Sequence, residues 1–190
     1  MDNNFDPNRG PDLPPSPSDE GGRFAFGDYF NSAMRSALVV GIGFVLQALA
    51  ITLFQWGLIS TFLYFLGLVA VPVLLYTTAK KFFGTQVTGP VPYLSAAAYL
   101  FWTFLLSLII AALVYYMAFY IMFRNPAVMD ALAQSMEAMK SFVTDKAMLD
   151  RMTEAYSTMT PKSMTLSTCS TFFFFGTVYV YIIALFLRRS

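Results

Sequence analysis

Four long apolar runs without a formal charge decide what this chain can fold into. They cover residues 36–55, 58–79, 94–123 and 164–187. A bilayer core of ~30 Å needs ~20 helical residues at 1.5 Å rise. Each run satisfies that requirement. In hydrocarbon every backbone N–H and C=O must find a partner, and a helix supplies one internally. Barrel strands are shorter and alternate in polarity, a pattern missing here. The sequence therefore predicts an all-α membrane protein with four transmembrane helices. Composition agrees: 57% of residues are hydrophobic and 12% are charged, against about 25% charged in soluble domains.

The links between runs are as informative. Trp56-Gly57 alone separates the first two runs, so these must form a tight antiparallel hairpin. Pro72 lies inside the second run and removes one backbone donor, which predicts a kink there. The third run is longer than the bilayer requires and ends among Tyr115, Tyr116 and Tyr120, placed as an interfacial belt. Residues 1–22 hold five of the ten prolines and almost no large apolar side chains. Such a segment cannot offset its chain entropy by burial, so a disordered tail is expected. Residues 23–190 then form the membrane domain.

Residues 124–162 are the charged island. Every acidic residue after Asp28 lies there. Asn125-Pro126 reads as a helix start. Met129, Leu132, Met136, Met139 and Val143 recur at spacings of 3, 4, 3 and 4. Thr144-Asp145 opens a second helix, whose seam is Leu149, Met152, Tyr156 and Met159. Thr160-Pro161 leads into the last run. This predicts an amphipathic helical hairpin over residues 126–160, with its apolar seams offered to a partner, to lipid or to the bundle. No Cys or His stands beside the methionines, so they read as adaptable apolar filler and not as Cu(I) ligands.

Helices in lipid associate through small residues and polar contacts. Ala37, Gly41 and Gly43 in the first run, Ser107 and Ala111 in the third, and Gly176 in the fourth are the expected packing positions. Gln47 reads as an interhelical hydrogen-bonding group. The runs carry no Asp, Glu, Lys, Arg or His, so they lack the groups that proton relays and coupled ion sites require. The chain has no histidine and one cysteine, Cys169. No Ser–His pair, Walker loop or dinucleotide fingerprint is present. No catalytic residue, cofactor or metal is expected. A net charge of +1 offers no nucleic-acid footprint. The flanking Lys and Arg, including Lys80-Lys81 and Arg188-Arg189, predict cytoplasmic termini, with the charged island on the far side.

The chain resembles a family of small four-span inner-membrane proteins found mainly in Bacteroidota, domain of unknown function 4199. The likeness runs from about residue 29 to 189. It is carried by the Ala37–Gly43 opening of the first span, by Ala70-Val71-Pro72 with Tyr76 ahead of Lys80-Lys81, and by Gly89. Tyr93-Leu94-Ser95-Ala96-Ala97-Ala98, Asn125-Pro126, Thr160-Pro161-x-x-Met164 and Arg188-Arg189 complete it. The resemblance implies a four-span topology in the bacterial inner membrane and no established activity. It also implies a gene neighbourhood with a polyprenyl-phosphate type glycosyltransferase as a candidate membrane partner. The expected function is a non-enzymatic accessory or assembly subunit, alone or as a homo-oligomer. The alternative is a small carrier or flippase for a lipid or lipid-linked sugar.

Overall fold

The structure is a computed structural model that describes residues 26–53, 56–86, 91–142 and 146–187. Among these residues there are six helices and no strand. They are α1 (Phe26–Thr52), α2 (Leu58–Gln86), α3 (Tyr93–Arg124), α4 (Pro126–Phe142), α5 (Lys146–Ser157) and α6 (Pro161–Leu187). The helices α1, α2, α3 and α6 are long and apolar enough to cross a membrane. The proline-rich tail, Val143, Thr144, Asp145, Gly89 and Arg188-Arg189 lie outside the described residues.

Two helices exceed the apolar runs that announce them. α1 begins ten residues before residue 36, through Arg35, Ser32 and Tyr29. α2 continues past Ala79 through Lys80 and Lys81 to Gln86. Charge marks where lipid ends, not where a helix ends: a long basic side chain stays on the helix and carries its cation to water. Lys80 also sits 5.8 Å from the centre of the Tyr76 ring, and the Arg124 guanidinium is 4.5 Å from that of Tyr120. Both are cation–π contacts, the second at the end of α3.

Local signals set the joints. Gly57 has φ of 44°, a left-handed turn that glycine adopts at no steric cost. Exposed Trp56 precedes it. The Asn125 side chain accepts from the Ala127 N–H at 3.1 Å, so Asn125 caps α4 with Pro126 at its first position. Thr160 caps α6 in the same way. The Ser163 N–H donates to Thr160 Oγ1 at 3.1 Å, and the Thr160 N–H donates to Ser163 Oγ at 2.9 Å. That reciprocal pair follows the logic of a capping box.

The four long helices alternate in direction, and α3 packs on both α1 and α6. At one end the start of α1, the end of α2 and the start of α3 meet in an aromatic plug. Tyr29 donates to the Ser95 carbonyl at 2.8 Å. Ser32 and Ser36 share hydrogen bonds with the Tyr99 hydroxyl. The Tyr99 ring stacks on Phe82 at 4.4 Å, with Phe83 edge-on at 5.5 Å. At the other end the finish of α1 and the start of α2 are tied by Ser60, which donates to the Ala50 carbonyl at 2.7 Å.

The α1–α2 crossing is made by Gly43 and Gly67. A Cβ on Gly67 would stand 2.6 Å from the Gly43 carbonyl oxygen and 3.1 Å from the Gln47 nitrogen. A Cβ on Gly43 would meet Val71 at 2.8 Å. Gly41 is looser, since its Cβ would find only Ile110 at 3.8 Å. Gly176 on α6 is the socket for Phe104 of α3, whose ring occupies the place of a Cβ. Ala37, Ser107 and Ala111 are buried. Thus the expected small residues do lie inside the bundle. Gly67, which the spacing patterns do not single out, makes the closest approach to another helix's backbone.

Candidate functional site: a lipid-facing cleft

Two cavities open along the half of the bundle nearer α4. The first, about 470 Å³, lies under α4 at the helix ends. Ser60, Thr61 and Tyr64 of α2 form one wall, Phe119 and Met122 of α3 another, and Val128, Leu132 and Ser135 of α4 the roof. The second, about 390 Å³, is a cleft between α2 and α6 with Phe44 and Gln47 of α1 at its back. It runs along α6 from Ser167 to Tyr179, about 18 Å at 1.5 Å per residue. On α2 it reaches Pro72, near the centre of that helix. Tyr64 lines both cavities. No charged side chain lines either.

The back wall of the cleft is built around one amide. Gln47 is fully buried, 0% exposed. Its Oε1 accepts a hydrogen bond from the Tyr115 hydroxyl across the α1–α3 contact. Its Nε2 has no partner. Among the described residues the one other such buried side-chain atom is Thr103 Oγ1, and Thr103 lines neither cavity. The Tyr115 ring stacks on Phe172 at 5.9 Å and meets Phe44 edge-on at 6.3 Å, so the amide is held in an aromatic frame. Its Cγ packs over Gly67. The amide nitrogen therefore has hydrogens to donate and no partner that takes them. An unmet buried donor costs about 1–3 kcal/mol, which an acceptor that reaches it would offset.

Pro72 adds to this. α2 runs through it as one helix, but the ring nitrogen carries no hydrogen, so the Leu68 carbonyl loses the donor that an ordinary residue would supply. Leu68 and Pro72 both line the cleft. Ser167 and Thr168 add hydroxyls on the α6 wall. Thr171 donates back to the Ser167 carbonyl at 3.0 Å, leaving its oxygen lone pairs free to accept. The arrangement suits a polar but uncharged group among apolar walls.

The α4–α5 seam is partly engaged. Leu132 lines the cavity under α4, and Met129 and Met136 are half-buried. Met139 is 47% exposed. The most buried residue of α4 is Val128, which the 3–4 spacing leaves out, and Ala131, Leu132 and Ser135 continue its face. The face turned to the bundle thus takes in Val128 beside the half-buried Met129, Leu132 and Met136, while Ala131 and Ser135 stay exposed. On α5, Leu149 and Met152 are half-buried, and Met159 just beyond it is as well. Tyr156 lies in α5, and Val143 lies outside the described residues. The carboxylates Asp130, Glu137, Asp150 and Glu154 are exposed and line neither cavity. Glu137 pairs with Lys140 at 3.6 Å, a surface contact worth little.

Sequence reasoning finds Gln47 and Pro72 separately and does not bring them together. Gln47 is readable as an interhelical group because a primary amide in an apolar run needs a partner. That its nitrogen stays unpaired beside a cleft depends on Tyr115, 68 residues away. No protein-family model matches the chain, and no curated protein or solved structure matches it either.

Proposed function

We propose that this protein is a non-enzymatic membrane accessory subunit that takes a lipid from the leaflet at its α4 end and presents it to a membrane partner. The observation that carries this reading is the Gln47 Nε2 donor, buried without a partner at the back of a cleft between two helices that otherwise face lipid. The other half of the bundle speaks to the role. There Tyr29, Phe82, Phe83 and Tyr99 fill the space between α1, α2 and α3. A flippase needs a path through both halves. A one-sided cleft suits binding and presentation better than transbilayer movement. The partner surface in this reading is the α4–α5 pair, which carries Phe142 at 85% and Met148 at 54% exposure beyond the four long helices. A polyprenyl-phosphate glycosyltransferase, suggested by the family resemblance, or a second copy of the chain is the partner proposed.

The test is photolabelling in lipid nanodiscs with a diazirine on the acyl chain. Labelled peptides should come from the cleft walls, α2 at 64–72 and α6 at 167–179. Thr171→Trp, which fills the cleft from an exposed position, should remove that labelling. Labelling confined to Leu49, Leu113 and Ile121, exposed residues that line neither cavity, would sink the reading.

The proposed location is the bacterial inner membrane, with both termini and the α2–α3 connection in the cytoplasm. Lys80 and Lys81 at the end of α2 motivate it through the positive-inside bias. Reporter fusions should be fluorescent with green fluorescent protein after residue 190 and active with alkaline phosphatase at residue 144. The reverse pattern would refute the orientation.

A further inference from the structure

We infer that Arg35, Lys80 and Lys81 form a belt that holds the phosphates of anionic phospholipids in the leaflet where α1 begins. The belt lies away from the cleft, and its binding does not depend on what the cleft holds.

The α1–α2 crossing fixes the depth of these cations. The two backbones meet at Gly43 and Gly67, so those residues share one height. Thr52 at the end of α1 and Leu58 at the start of α2 each lie nine residues from that point, about 14 Å along the helix. That is close to half of a ~30 Å hydrocarbon core, which puts the crossing near the bilayer midplane. In the other direction Arg35 is eight residues from Gly43 and Lys80 thirteen from Gly67, about 12 and 20 Å. Side chains on a helix lean toward its own start. α1 starts at this end and α2 at the opposite one. Arg35 therefore leans outward and Lys80 leans back, as its 5.8 Å contact with the Tyr76 ring shows. Their charges converge about 15 Å from the midplane, where hydrocarbon gives way to headgroups.

Charge decides what they hold. All three side chains are exposed, and among the described residues none of them has an ion-pair partner. The carboxylates Asp130, Glu137, Asp150 and Glu154 belong to α4 and α5, at the opposite end of the bundle. Asp28 lies seven residues before Arg35, about 10 Å farther from the midplane. A guanidinium can donate to two phosphate oxygens at once, and an ammonium supplies a compact charge. Lys80 and Lys81 point about 100° apart on α2, so they serve different lipid molecules. A zwitterionic headgroup brings its own cation to the same level and gains less. The phosphate of an anionic phospholipid fits both the sign of the belt and its depth.

The experiment is electron spin resonance of spin-labelled lipids around the full chain in dioleoylphosphatidylcholine bilayers. Spin-labelled phosphatidylglycerol should be retained over spin-labelled phosphatidylcholine by roughly fivefold or more, since each cation at a membrane surface contributes about that factor. The preference should fall toward unity in about 1 M salt, where charges are screened beyond ~3 Å. It should also fall in Arg35→Gln/Lys80→Gln/Lys81→Gln. The charge-keeping set Arg35→Lys/Lys80→Arg/Lys81→Arg should retain it, and so should Arg124→Gln/Lys162→Gln at the other end of the bundle. Equal retention of the two lipids, a preference that survives Arg35→Gln/Lys80→Gln/Lys81→Gln, or one lost with Arg124 and Lys162 would overturn the inference. Millimolar inorganic phosphate should leave the preference unchanged. Its loss there would assign the cations to a soluble anion and overturn the inference as well.

Discussion

Gly67→Ala should cost the fold about 3 kcal/mol or more, the largest effect of any single added methyl on the α1–α2 pair. The new Cβ would stand 2.6 Å from the Gly43 carbonyl oxygen. The atom in its way is backbone, so no rotamer change relieves the contact, and the two helices must move apart. In lipid no hydrophobic drive pulls separated helices back together; close packing is itself the attraction. The same change elsewhere should behave differently. Gly43→Ala meets a Val71 side-chain methyl at 2.8 Å, with backbone farther off at 3.2 and 3.3 Å, and should cost less, about 1–2 kcal/mol. Gly41→Ala finds ordinary contact at 3.8 Å, and Gly84→Ala meets nothing within 4 Å. These two should be neutral or stabilising by up to about 1 kcal/mol through helix propensity. Thermal unfolding in mild detergent, followed by thiol-dye labelling of the one cysteine, Cys169, reads all four. Equal midpoints for Gly67→Ala and Gly84→Ala would show that α1 and α2 do not cross so closely.

That series also marks what the sequence makes legible. Runs of twenty or more uncharged residues leave no choice but spanning helices, so the four long helices and the pair between α3 and α6 are readable from the residues alone. Caps are readable too, because Asn125-Pro126 and Thr160-Pro161 state a local geometry in two residues. Helix ends are less so: Arg35, Lys80 and Lys81 look like boundaries, yet α1 and α2 run through them. Packing partners are hardest. Gly41 belongs to a small-x-x-x-small pattern and has room to spare, whereas Gly67 belongs to none and touches backbone. A pattern on one helix cannot say which of its small residues faces another. The α4 seam shows the same limit. Methionine spacing finds a stripe whose Met129, Leu132 and Met136 are half-buried, but it leaves out Val128, which is buried more fully, since the attachment of α4 to the end of α3 decides which face is turned inward.

Tyr115→Phe should destabilise the protein by about 1–2 kcal/mol, and Gln47→Leu should largely cancel the loss. Tyr115 is fully buried and its hydroxyl is the donor to Gln47 Oε1. Removing the hydroxyl leaves a whole amide unpaired in an apolar frame, and an orphaned buried group costs its full desolvation. Removing the amide as well leaves two apolar side chains of similar shape, a replacement that is near neutral. Gln47→Leu alone orphans only the Tyr115 hydroxyl and deletes an N–H that is already unmet. It should therefore be milder than Tyr115→Phe. The coupling energy from the double-mutant cycle should be about 2 kcal/mol and opposite in sign to the single losses. Simple additivity would mean that the two groups are not bonded.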